Sequence, residues 1–310
     1  NTIGEKELFA RRYLSRPEGA RQIAHRFSDD LMELLTGVRG IFSAKLAFVS
    51  DRSGSKEVYI SDYDGKNTRR VTFNGSINLS PQWSPDAKKI IYTSYIKGQP
   101  RLYMQDLKSG SLTEISSSPG LNIAARWSPD GKKIALTLTG KKSPDLFILD
   151  LDKKEYTQLT DNYSIDTSPS WSPDGKRLLF TSNMGGNPHI YMINSDGADL
   201  KRLTFDGRYN SEPAWNPLGG LITFTRLGAA RFNIWIMNED GGGLKELSSE
   251  GDNKSPSWSP DGNLIVFSSK DKKGESALFI VRKDGSGLVK IDPGPGNETT
   301  PAWSPYIKEE

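Results

Sequence analysis

Catalysis or metal binding needs nucleophiles, acids, bases or ligand groups at workable spacings, and this chain supplies few. Among 310 residues there are two histidines, His25 and His189, and no cysteine. Without thiols there is no disulfide, no thiolate metal centre and no cysteine nucleophile. Two histidines are too few for the usual zinc sites. Neither the H-E-x-x-H pattern of zinc proteases nor the G-x-S-x-G elbow of serine hydrolases occurs. Asp62, Asp64 and Gly65 begin like a calcium loop, but the later ligands and the closing Glu are missing, so the segment reads as a hairpin turn. Two carboxylates for glycoside chemistry could be gathered from distant segments, yet no pair is singled out. The net charge is +3, with lysines scattered through turns such as Lys88-Lys89 and Lys132-Lys133. That spread predicts solvated turn tips and no nucleic-acid partner. No apolar run is long enough to span a bilayer.

A ruler runs through the chain. Trp83, Trp127, Trp171, Trp215, Trp258 and Trp303 are separated by 44, 44, 44, 43 and 45 residues, with WSPDG-like sequence at each. A period of ~40–45 residues filled with short strand patterns predicts a β-propeller. Each repeat has four such patterns: one around the tryptophan, then, for example, KKIIYTS, RLYMQDL and LTEIS. They are rich in β-branched and aromatic residues and bounded by Gly, Asp, Asn and Pro. Ser-Pro-Asp-Gly sets a fixed φ at Pro and a cheap positive φ at Gly, which makes a tight hairpin. Three strand patterns (KLAFVS, EVYISDY, TRRVTF) precede the first tryptophan strand, and one follows the last repeat. Residues 299–304 are therefore expected beside residues 45–50, closing an all-β, six-bladed ring with no open sheet edge. The tryptophans are expected to pack blade against blade, and Trp235, on a third strand, to join the core.

Counting back five residues from each tryptophan gives Asn78, Asn122, Asp166, Asn210, Asn253 and Glu298, all amides or carboxylates. Next come Leu79, Ile123, Thr167, Ser211, Lys254 and Thr299, then Ser80, Ala124, Ser168, Glu212, Ser255 and Thr300. These segments should line one channel mouth. Asn and Asp suit a turn that enters a strand by bonding its own backbone. A sharper expectation is a ring of amides that hydrogen-bonds an inserted peptide, with Leu79, Ile123 and Ile165 giving apolar contact. Three carboxylates without an evident counter-charge, Asp166, Glu212 and Glu298, make a calcium ion at the mouth a secondary expectation; otherwise no cofactor is expected.

Residues 1–40 read differently from the propeller, residues 41–310. Arg16-Pro17-Glu18 suits a helix start. Ile23, Phe27, Leu31, Leu34 and Leu35 fall at helical spacing, and Gly37 suits a C-terminal cap. One amphipathic helix needs a partner face: either it packs on the propeller or, the favoured expectation, it is the last helix of a mostly missing α/β domain.

The WSPDG repeats, the segment AHRFSDDLMELLTGVRGIFSAKLAFVS at residues 24–50 and the terminal PAWSPYI resemble the TolB family, the periplasmic component of the Tol–Pal system of Gram-negative bacteria. The resemblance covers essentially the whole chain but not most of the family's N-terminal domain. It implies a non-catalytic, monomeric, periplasmic interaction protein that supports outer-membrane integrity and cell division. It further implies that the peptidoglycan-associated lipoprotein Pal binds at the channel mouth, where bacteriocins also bind some members. TolA contacts the N-terminal domain in the family, so that contact would require the missing part. Carried over, the contact positions are Asn78, Leu79 and Ser80; Leu121, Asn122, Ile123 and Ala124; Ile165, Asp166, Thr167 and Ser168; Tyr209, Asn210, Ser211 and Glu212; and Asp252, Asn253, Lys254 and Ser255. Glu298 completes the ring by register. The competing expectation is a sugar-binding or sugar-cleaving propeller, a lectin or lyase, but the mouth segments hold no histidine cluster and, of aromatics, only Tyr209.

Overall fold

The computed structural model describes residues 12–13 and 19–307. The chain parts into two compact units at Ser43/Ala44. In the first, helix α1 spans Ala20–Thr36 and ends at Gly37, whose φ of 73° lets its N–H donate back to the Glu33 carbonyl oxygen at 2.8 Å. The expected start at residues 16–18 lies outside the described residues. Asp29 is buried and accepts from the Phe42 and Ser43 backbone N–H groups at 2.6 and 3.0 Å, which folds the chain back on the helix. Phe27, Leu34 and Leu35 on α1 are exposed.

The second unit is a ring of six four-stranded antiparallel sheets. The innermost strands are Asn78–Trp83, Asn122–Trp127, Asp166–Trp171, Asn210–Trp215, Asp252–Trp258 and Glu298–Trp303. Closure follows the expected register: Leu46 pairs with Trp303, Ala47 with Ala302 and Ser50 with Glu298. The seam is fastened further by polar contacts. Arg52 Nη2 donates to Glu298 Oε1 at 3.0 Å, and Asn297 donates twice to the Asp51 carboxylate at 2.8 Å.

Each second strand carries one large apolar residue at its centre, Phe48, Tyr92, Leu136, Phe180, Phe224 or Phe267, fully buried in every case. Four of these stack or tilt on a cross-strand aromatic with ring centroids 5.8–6.3 Å apart (for example Phe180 on Tyr191). The tryptophans join neighbouring blades, as expected. The core around Trp83 includes Ala302 from the previous blade, and the core around Trp171 includes Ala135. In alternate blades the indole N–H also donates across the interface. Trp83, Trp171 and Trp258 reach the carbonyl oxygens of Ala302, Arg126 and Ala214 at 3.2, 3.2 and 3.0 Å. Trp235 is only partly buried, with the Arg226 guanidinium 4.6 Å from its ring centre. The outermost strands are shorter than their sequence patterns, down to two residues at Arg69–Arg70, Lys201–Arg202 and Lys245–Glu246. Short, charged edges of this kind resist pairing with another chain.

Candidate functional site: the channel mouth

Every inner strand is bulged at the same place. Leu79 pairs with Thr93 and Gln82 with Ile91, so Ser80 and Pro81 together oppose Tyr92. The residue three before the tryptophan takes a left-handed backbone in all six blades: Ser80, Ala124, Ser168, Glu212, Ser255 and Thr300, with φ between 48° and 57°. None is glycine, so each is strained by ~1 kcal/mol, held by the surrounding sheet. A bulge re-aims side chains; here it turns these six into the channel, where all line the central cavity.

The same bulge decides the fate of the polar ring two residues earlier. Asn78, Asn122, Asp166, Asn210, Asn253 and Glu298 are buried, none more than 3% exposed. Asn78 Nδ2 donates to the Lys56 carbonyl oxygen at 2.9 Å and to Glu57 Oε2 at 3.0 Å. Asn122 Nδ2 donates to the Pro100 and Ser118 carbonyl oxygens at 3.1 and 2.7 Å. Asn210 Nδ2 lies 3.1 Å from His189 Nδ1, and Asn253 Nδ2 donates to the Glu250 carbonyl oxygen at 2.7 Å. This ring therefore sews blades and loops together. The expectation that its amides bond an inserted peptide is corrected: they are covered, and their Nδ2 groups already donate within the protein. His189 is part of the same stitching; burial, and then the charges of Arg202 and Arg226, hold its imidazole below the usual range.

Nor do the three carboxylates share a site. Asp166 Oδ2 accepts from Asn162 Nδ2 at 2.8 Å, and Glu212 Oε2 accepts from the Ser255 N–H at 2.7 Å. Glu298 is compensated by Arg52 after all, although burial still pushes its carboxyl above the usual range. Among the described residues no three His, Asp or Glu side chains converge as a metal site. Asp145 is buried close to Asp166; burial and then the Asp166 charge raise its carboxyl.

The more open ring at the mouth lies six residues before each tryptophan: Ile77, Ile165 and Tyr209 are exposed, and Leu121, Asp252 and Asn297 half-buried. Four consecutive blades carry an apolar residue there, with Ile77 47% and Ile165 52% exposed. Leu79, Ile123, Thr167 and Lys254 follow, half-buried, while Ser211 is buried. One sector is organised around Phe232, whose ring meets Tyr209 edge-on at 5.4 Å and lies 4.4 Å from Lys254 Nζ. Lys254 pairs in turn with Asp252 at 2.9 Å. Burial pushes the Asp252 carboxyl up, but hydrogen bonds from Lys254 and the Phe232 N–H outweigh it and hold the carboxyl below its usual range. Ile77, Phe232 and Asn297 escaped the sequence reading. Ile77 and Asn297 could have been found by the register that yields Leu121, Ile165 and Tyr209. Phe232 sits at the start of a third strand and has no repeat signal.

These features define a closed six-bladed propeller with a central channel lined by polar and apolar side chains and an apolar rim around part of one mouth. The model of the TolB β-propeller domain matches residues 32–307, and the chain belongs to that family. The crystal structure of TolB from Acinetobacter baumannii superposes with a TM-score of 0.85 at 33% identity, covering 94% of this chain and 74% of that one. The Tol-Pal system protein TolB of Geobacter metallireducens is 52% identical over 90 residues, 29% of this chain and 21% of the relative. The TolB homolog of Chlorobium luteolum is 43% identical over 94 residues, 30% of this chain and 22% of the relative. The matched part thus spans about a fifth of these curated relatives. An oligogalacturonate lyase in complex with manganese shares the fold alone, with a TM-score of 0.54 at 14% identity. No described helix is long and apolar enough to cross a membrane.

Proposed function

We propose that this chain is a non-catalytic interaction module of the Tol–Pal system, working in the periplasm. Its channel mouth receives a Pal-type peptidoglycan-associated lipoprotein, and through that contact the protein supports outer-membrane integrity and cell division. The carrying observation is the rim, where Ile77, Leu121, Ile165 and Tyr209 hold one register position in four successive blades. Exposed and half-buried apolar side chains at one mouth, edged by polar residues, suit a protein interface. Asp252 and Lys254 supply the polar edge. Bacteriocins that exploit the family would compete for the same rim, and a TolA-type partner would need the family's N-terminal domain. Immobilised protein exposed to a Gram-negative envelope extract should retain the peptidoglycan-associated lipoprotein. Retention of glycans without that lipoprotein would contradict the proposal and favour a sugar-binding propeller.

A further inference from the structure

We propose that the channel holds a carboxylate against Arg126, a site separate from the rim and independent of the partner reading. The cavity on the propeller axis has a volume of about 550 Å³ and is lined by all six blades. Among the described residues that line it, Arg126 is the one cation and Glu212 the one anion. The equivalents of Arg126 in the other blades are Gln82, Ser170, Ala214, Ser257 and Ala302, so a single guanidinium enters a ring of neutral side chains. Its Nη1 donates to the Ala125 carbonyl oxygen at 3.1 Å, and no carboxylate among the described residues pairs with it. Most of its five N–H donors therefore remain available.

Glu212 does not take up this capacity. Its Oε2 accepts from Thr225 Oγ1 at 2.9 Å and from the Ser255 N–H at 2.7 Å, and its Oε1 lies 3.3 Å from Ser255 Oγ. Burial brings Arg126 down to about 10, with the Glu212 charge opposing, so the guanidinium stays charged at neutral pH. Arg126 is half-buried in the cavity wall, and a cation there with unused donors is stabilised by an anion that meets it. A carboxylate matches the guanidinium fork with two parallel hydrogen bonds. Ser80, Gln82 and Ser168, on the blades flanking Arg126, make no side-chain hydrogen bonds among the described residues and can donate as well. The nearby Glu212 charge penalises a dianion more than a monoanion, which favours a carboxylate over a phosphate.

The carboxylate can be a free small acid or an acidic side chain inserted from a peptide. Six tryptophans line the cavity, so intrinsic fluorescence reports occupancy. The wild-type protein is titrated with sodium acetate against sodium chloride at equal ionic strength. It is also titrated with an N-acetylated, C-amidated Gly-Gly-Glu-Gly-Gly peptide and its Gln counterpart. A saturable response to acetate or the Glu peptide, absent with chloride and the Gln peptide, is expected. Arg126→Gln should weaken it by about tenfold or more, as loss of a bidentate charged contact does. Acetate as the only ligand identifies a free acid; tighter binding of the Glu peptide identifies an inserted side chain. Glu212→Gln, which removes the opposing charge, should tighten binding severalfold and decides the matter if Arg126→Gln does not fold. No saturable response to either ligand, an unchanged affinity in Arg126→Gln, or a weaker one in a folded Glu212→Gln would overturn the site.

Discussion

Ala87 has a φ of 58°, at the turn position where four other blades place Gly131, Gly175, Gly219 and Gly262. A Cβ in the left-handed region costs about 1 kcal/mol, part of which glycine gives back through its freer unfolded chain. The Ala87 methyl also packs against the core around Trp83, so Ala87→Gly is expected to stabilise the protein by no more than about 0.5 kcal/mol and to raise Tm by ~1–2 °C in calorimetry. Asp166 is a second residue that departs from its repeat, standing where four blades have Asn. Its charge helps to keep the Asp145 carboxyl above the usual range. A carboxyl raised in the fold binds its proton more tightly folded than unfolded. The penalty is thus full above the folded value and fades as pH falls toward ~4. Asp166→Asn should stabilise by about 1 kcal/mol at pH 7.5, with a smaller gain at pH 4. Equal denaturant midpoints for the two proteins at pH 7.5 would contradict this account of the pair.

At the scale of elements, the strand Glu298–Trp303 is the inner member of the blade that begins at Lys45. Its removal exposes a row of backbone groups on Lys45–Ser50 and strips the Asn297 and Glu298 clamps on Asp51 and Arg52. A chain ending at Gly296 should lose cooperative melting; a transition as sharp and as high as that of the full chain would refute the closure. Blade number, strand order and closure were legible because tryptophan, turn and strand patterns repeat together. The direction of the mouth residues was not. Plain alternation would put positions five and three before the tryptophan on one face of the strand. The bulge at Ser80-Pro81 and its equivalents breaks that alternation and gives Asn78–Trp83 a buried, half, half, buried, half, buried pattern. A left-handed Ser, Ala, Glu or Thr carries no sequence signal comparable with glycine, so the polar ring was placed at the channel when it belongs inside the blades.

For the molecule as a whole, the ring fixes six equivalent loop entries around one axis, and binding is set by what stands at each entry. Four apolar entries in succession followed by Asp252 and Asn297 make the mouth one-sided, so a partner should sit off-axis over the blades that carry Ile77 to Tyr209. A few central apolar or aromatic contacts commonly supply most of an interface's affinity. The direct test is calorimetric titration of the periplasmic domain of a Pal-type lipoprotein into the wild-type protein and into Ile165→Arg/Tyr209→Arg. Lys132→Glu, at a hairpin tip by the far end of the inner strand, serves as the control. The account predicts binding by the wild type, a loss of about 30-fold or more in the double variant with its melting curve preserved, and little change in the control. Undiminished binding by the folded double variant, or no binding by the wild type, would contradict it.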